Sequence, residues 1–184
     1  VVVASVRAVV QPVSSSVVET APVRVRAGDR VDLTACVEAL VGLGYERVDL
    51  VERRGQVAVR GGIVDVFPPS EEHAVRIEFW GDDVEEIRHF SVTDQRSLDL
   101  LEHGLLAPAV RELLLTDGVR AKARELVIGA PGIAEMCQKI AAGIPVEGME
   151  SLTALLDASM VTLVDLLPRG TQIIVSEPER VAAR

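Results

Sequence analysis

Val57-Ala58-Val59-Arg60-Gly61-Gly62-Ile63-Val64-Asp65-Val66-Phe67-Pro68, followed by Val75-Arg76-Ile77-Glu78-Phe79-Trp80-Gly81-Asp82, decides how this chain folds. Side chains of a strand point alternately to opposite faces, so Val75, Ile77 and Phe79 share one face while Arg76, Glu78 and Trp80 share the other. Gly81-Asp82 turns the chain, and Val84, Ile87 and Phe90 lie on the returning strand. Upstream, Val48 and Leu50 and then Val57-Ala58-Val59 read as two strands around a tight turn at 53–56. Gly61-Gly62 supplies a kink before the strand 63–67, and Pro68-Pro69 closes the stretch because proline has no amide for a sheet ladder.

Working outward, Leu33, Val37, Leu40 and Val41 fall at helical spacing, with Asp32 or Thr34 available as cap and Gly42 and Gly44 as terminators. Val23 and Val25 alternate with Arg24 and Arg26 as a half-exposed strand that ends at Gly28-Asp29. These elements predict a twisted antiparallel sheet with one helix packed on its apolar face, over residues 21–107. Residues 1–4 read as a buried strand met in mid-course, as in a piece of a longer chain, and 5–11 as a short helix stopped by Pro12. Past Pro108 the pattern becomes mainly helical: 118–127, 132–142, 147–156 and 162–167. A last strand at 172–175 is expected to join a sheet with the opening valines. The expected class is therefore α/β (α+β), divided at 1–20, 21–107 and 108–184.

The chain has 184 residues, 48% of them hydrophobic and 26% charged, a balance that supports a buried core and excludes a disordered chain. A net charge of −9 repels nucleic-acid phosphates and anionic lipid over the surface as a whole. Cys36 and Cys137, isolated in helical patterns, make no disulfide framework, and no run reaches the roughly 20 apolar residues of a membrane span. The cytosol is the expected compartment.

Catalytic and cofactor chemistry finds little support. No phosphate loop is present, and Gly42 and Gly44 sit at a helix end rather than at a start. His73, His89 and His103 have no partners at metal-ligand spacing, and Ser5, Ser91 and Ser97 have no base in a recognisable motif. Asp82, Asp83, Glu85 and Glu86 fall on a turn and an exposed strand side, where charge holds water. Asp65 interrupts an apolar strand, which predicts a buried acid paired with a base rather than a catalytic one. A hydrolase built on Asp65 or Glu78 would need a pocket around them.

The outward face of the sheet carries more information. Arg60, Arg76 and Trp80 all fall on it, Arg60 beside two glycines that permit close backbone approach, and Arg and Trp are enriched at binding hot spots. Residue type and spacing leave a second reading open. In it Trp80 covers the sheet edge, and the arginines pair with Asp82, Asp83 or Glu78.

The stretch Leu43-Gly44-Tyr45-Glu46-Arg47-Val48, then 51–68 as quoted with Val51-Glu52-Arg53-Arg54-Gly55-Gln56 ahead of it, Arg76-Ile77-Glu78-Phe79-Trp80-Gly81-Asp82 and Asp94-Gln95-Arg96-Ser97 resembles the UvrB-homology module of bacterial transcription-repair coupling factors (Mfd). UvrB shares the arginine-glycine-glycine and aspartate-phenylalanine-proline pattern more loosely. The flanks 3–8 and 148–180 resemble the family's neighbouring domains, with 112–147 matched by helical character alone.

The resemblance implies that 21–107 is a UvrA-binding β-rich domain. It implies that 1–20 and 108–184 are parts of a degenerate helicase-like lobe whose second part is mainly helical. It implies a non-catalytic adaptor that recruits nucleotide excision repair to stalled RNA polymerase by holding UvrA. It places partner contacts on Arg60, Arg76 and Trp80, with Arg53, Arg54 and Arg88 at the rim. No cofactor is expected in this stretch; ATP and Mg, DNA and RNA polymerase would be bound by other domains of a full-length ATP-dependent translocase, and another domain would mask the UvrA surface. The alternative is a DNA-handling fragment of the excision nuclease subunit UvrB.

Overall fold

A computed structural model describes residues 1–182. In chain order the elements are α1 (Val6–Val10), β1 (Val13–Ser14), α2 (Ser15–Glu19), β2 (Val23–Val25), α3 (Leu33–Gly42), β3 (Glu46–Arg47), β4 (Gln56–Arg60), β5 (Ile63–Val66), β6 (Ala74–Trp80), β7 (Asp83–Phe90), β8 (Ser97–Leu100), β9 (Leu105–Ala107), α4 (Asp117–Gly129), α5 (Ala134–Ala141), α6 (Thr153–Leu156), β10 (Met160–Val161) and α7 (Pro178–Ala182). The architecture is mixed α/β around a six-stranded sheet of order β3-β4-β5-β6-β7-β8.

Alternation sorts the sheet's side chains as expected. Val57, Val64, Val66, Val75, Ile77, Phe79, Val84 and Ile87 are buried against Cys36, Val37 and Leu40 of α3. The α3 start is capped by Asp32, whose carboxylate accepts from the Ala35 N–H at 2.7 Å. Its end is a Schellman turn: Tyr45 N–H donates to Leu40 O at 3.2 Å, Gly44 N–H donates to Val41 O at 2.9 Å, and Gly44 takes φ 91°. Asp32→Ala should therefore lower stability by about 1 kcal/mol, read as a shift in the urea midpoint at constant slope.

Several expectations are corrected. Residues 48–50 form no strand. The edge strand is β3, two residues earlier, and it runs parallel to β4, so the predicted tight hairpin there does not exist. Val48 N–H still donates to Val57 O of β4 at 2.9 Å, after which the connector leaves the sheet, with Val48 and Val51 packed beneath the opposite sheet face. The edge strand β8 was not foreseen; it pairs antiparallel with β7 across an irregular register.

Residues 1–4 and 172–175, both read as strands, have no regular structure, and Val2 and Ile174 are 69% and 87% exposed. Neither run has a neighbouring strand among the described residues to satisfy its backbone groups. The N-terminal segment instead joins the C-terminal region through β1, antiparallel to β10, with Ser14 donating to Asp157 Oδ2 at 2.5 Å. Helix 162–167 is only a short 3-10 turn, Val164–Leu166. α4 and α5 centre on a separate apolar cluster of Leu113, Val119, Ala123, Cys137, Ile140 and Met149.

Candidate functional site

The second face of the sheet is polar in its middle and at one end. Register places Ala58, Asp65, Arg76 and Arg88 in one row across β4 to β7, and Arg60, Ile63, Glu78 and Glu86 in the next. At the far end of the first row's neighbours, Ala74 and Phe90 join Val51, Ala58 and Phe67 in a small apolar cluster that closes that part of the face.

Asp65 is the centre of the arrangement. It is 1% exposed, yet its carboxylate accepts from Arg76 Nε at 2.7 Å, Arg76 Nη2 at 2.9 Å and Arg60 Nη2 at 2.5 Å. A buried acid needs such partners, so the expectation that Asp65 is paired holds. The bonds from Asp65 raise the Arg76 pKa above the ordinary arginine value, against the opposing pull of burial.

The predicted contact residues are not equally available. Trp80 is 72% exposed at the end of β6, and the Arg60 side chain is 44% exposed at the end of β4. Arg76, expected on an exposed surface, does lie on the polar face but its side chain is only 11% exposed. Its guanidinium stacks 4.6 Å above the Phe90 ring and donates through Nη1 to Gln95 O at 3.3 Å. The arginines therefore pair with Asp65, not with Asp82, Asp83 or Glu78. Trp80 stands on a strand inside the sheet, between β5 and β7, and is largely exposed.

The rim residues are occupied differently. Arg88 is paired with Glu86 on the same strand, an ion pair that lowers the Glu86 pKa. Arg53 donates to Glu46 at 2.9 Å and lowers its pKa. Arg54 lies 4.8 Å from the Phe67 ring centre and donates to Glu71 O. Arg53 and Arg54 sit by the β3 edge, apart from the row that holds Arg76 and Arg88.

Gly62 proves to serve the chain's own backbone. A Cβ there would lie 2.6 Å from Phe79 O, and Phe79 N–H donates to Gly62 O at 2.8 Å where the β6–β7 register shifts. The close approach that the glycines permit is thus to β6, one residue before Trp80. Gln95 has a part in this face that its place in the sequence does not announce. It adopts φ 62°, and its side chain donates to Val92 O at 2.9 Å while its main-chain carbonyl braces Arg76. A glutamine between Asp94 and Arg96 carries no local signal for such a position. Among the described residues no group of His, Cys, Asp and Glu could hold a metal ion, and no helix is long and apolar enough to cross a membrane.

Comparison with known proteins agrees on the segment that builds this face. The family model described as "UvrB interaction domain" matches residues 23–111. The transcription-repair-coupling factor of Mycobacterium tuberculosis is 45% identical over 194 aligned residues, covering all of this chain and 16% of that protein. That of Bacillus subtilis is 34% identical across 76% of this chain and 12% of its own length. UvrABC system protein B of Geobacillus kaustophilus is 39% identical over 47% of this chain and 13% of its own length. The chain spans about a sixth or less of the length of these relatives. Residues 23–111 therefore match the UvrB interaction domain family, and over its whole length the chain is similar to the transcription-repair-coupling factors, with UvrB more distant.

Proposed function

We propose that this chain is a non-catalytic adaptor module of transcription-coupled DNA repair that binds UvrA. The observation that carries the reading is the combination of a largely exposed Trp80 with an Arg60 anchored on buried Asp65, on one sheet face of a segment that matches the UvrB interaction domain. An aromatic ring and an arginine fork on a rigid sheet are the side chains that dominate binding energy at protein interfaces. Similarity to a coupling factor along the whole chain, against 47% and 59% of it for two UvrB proteins, favours this over a DNA-handling fragment of UvrB.

In the full-length protein the module would bring nucleotide excision repair to stalled RNA polymerase. Polymerase, DNA, ATP and Mg would be handled by other domains, and one of those would mask the Trp80 face. Residues 21–107 would form the UvrA-binding domain, and 1–20 with 108–184 the degenerate helicase-like lobe. The separate apolar clusters of α3 with the sheet and of α4 with α5 support that division.

Calorimetric titration with purified UvrA tests the reading. The native chain should bind, and Arg60→Ala combined with Trp80→Ala should cost more than about 2 kcal/mol of binding free energy. Unchanged affinity in the double variant would remove the site assignment.

A further inference from the structure

We propose that Asp65 is a positioning residue for partner recognition: its buried carboxylate fixes the Arg60 guanidinium so that the arginine's outward N–H edge meets a carboxylate of the bound protein. The proposal rests on the reading that this face binds UvrA, and it names the chemistry of the group that UvrA must present.

Arg60 stands at the last position of β4, where the following Gly61 and Gly62 leave its long stem without side-chain neighbours in sequence. Among the described residues its guanidinium makes one hydrogen bond, Nη2 to Asp65 Oδ2. A guanidinium has five N–H donors in a fixed plane, so anchoring one of them, with the stem rooted at the end of β4, narrows the directions open to the others. The remaining edge is open, on a side chain that is 44% exposed. Planar donors of this kind match a carboxylate with two parallel bonds.

The anchor itself cannot drift. Asp65 lies within β5, opposite Ala58 on one side and Arg76 on the other. Arg76 grips both of its oxygens and is held in turn by the Phe90 ring and the Gln95 carbonyl. Two guanidinium groups on one carboxylate leave one positive charge over, and the more exposed of the two is Arg60.

Long-range attraction does not replace this geometry. On this face Arg60, Arg76 and Arg88 stand against Asp65, Glu78, Glu86 and, opposite Trp80, Asp83, three positive charges against four negative ones, and the whole chain carries −9. An acidic partner group is therefore not drawn in by a broad field; it must be recognised by the direction of Arg60's donors.

Two measurements on the 184-residue chain test the proposal. In UvrA titrations, Arg60→Lys keeps the charge but loses the fork and should weaken binding about tenfold. Asp65→Asn should weaken it by a similar factor, and the double variant no more than the worse single one, because both changes remove one unit. Side-chain NMR of nitrogen-labelled arginine should show a distinct, slowly rotating Arg60 guanidinium in the native chain and an averaged one in Asp65→Asn.

Native affinity in Arg60→Lys, or losses that simply add in the double variant, would overturn the positioning role. So would an averaged Arg60 signal in the native chain, a result that does not depend on UvrA or on whether Asp65→Asn folds. Failure of the native chain to bind UvrA, with the Arg60 signal still slow, would instead remove the functional reading and leave the clasp in place.

Discussion

Asp65→Ala should destabilise the chain by about 3–5 kcal/mol, the largest loss expected of any single change on the polar face. The native carboxylate is 1% exposed and holds Arg76, whose side chain is 11% exposed. Removing it leaves the Arg76 guanidinium charged, nearly dry and reduced to the Gln95 carbonyl at 3.3 Å and the Phe90 ring. Those contacts do not replace two charged hydrogen bonds, and a side chain so little exposed regains few of them from water. Arg60 adds little to the loss, since its half-exposed side chain can turn to solvent.

Urea denaturation followed by circular dichroism checks the prediction. Replacing Asp65 and Arg76 together by leucine should recover part of the loss, because an apolar pair needs no desolvated charge to be satisfied. A midpoint close to native in Asp65→Ala would show that Arg76 does not depend on its partner.

Gly62→Ala is expected to cost about 3 kcal/mol, although Gly62 is not among the left-handed glycines. The added Cβ would stand 2.6 Å from Phe79 O, a backbone atom that cannot rotate away as a side chain would. Relief requires β5 and β6 to separate where Phe79 N–H bonds Gly62 O, one residue from Trp80. The neighbouring Gly61 offers the contrast. It has φ 60° and nothing within 4 Å of a Cβ, so Gly61→Ala should cost only the left-handed strain of about 1 kcal/mol. Parallel urea titrations of the two variants separate close packing from backbone strain. Gly62→Ala should also weaken UvrA binding more than Gly61→Ala, since only the former shifts the strand that carries Trp80.

Much of this was legible in the chain itself, because it rests on periodicity and local chemistry. The two-residue period of 74–80 sorts Val75, Ile77 and Phe79 inward and Arg76, Glu78 and Trp80 outward whatever else surrounds them. Asp32 and Gly44 bound α3 through hydrogen bonds made within five residues. An aspartate amid valines likewise announces that Asp65 must find a partner.

Which partner it finds is a matter of register, and register is tertiary. Arg60 and Arg76 lie sixteen residues apart and meet only because β5 runs between β4 and β6. The same pairing turns Arg76 from a surface arginine into a nearly buried one, and leaves Arg60 and Trp80 as the presented groups. The structure departs from the expected strands at 1–4, 48–50 and 172–175 for a related reason. An apolar run offers hydrogen-bonding groups along its length, but whether it becomes a strand depends on a neighbour that no local pattern names. Periodicity and turn residues thus fix which faces are apolar and where the chain reverses. Which strands adjoin, and which arginine edge stays open, depend instead on contacts between residues far apart in the chain.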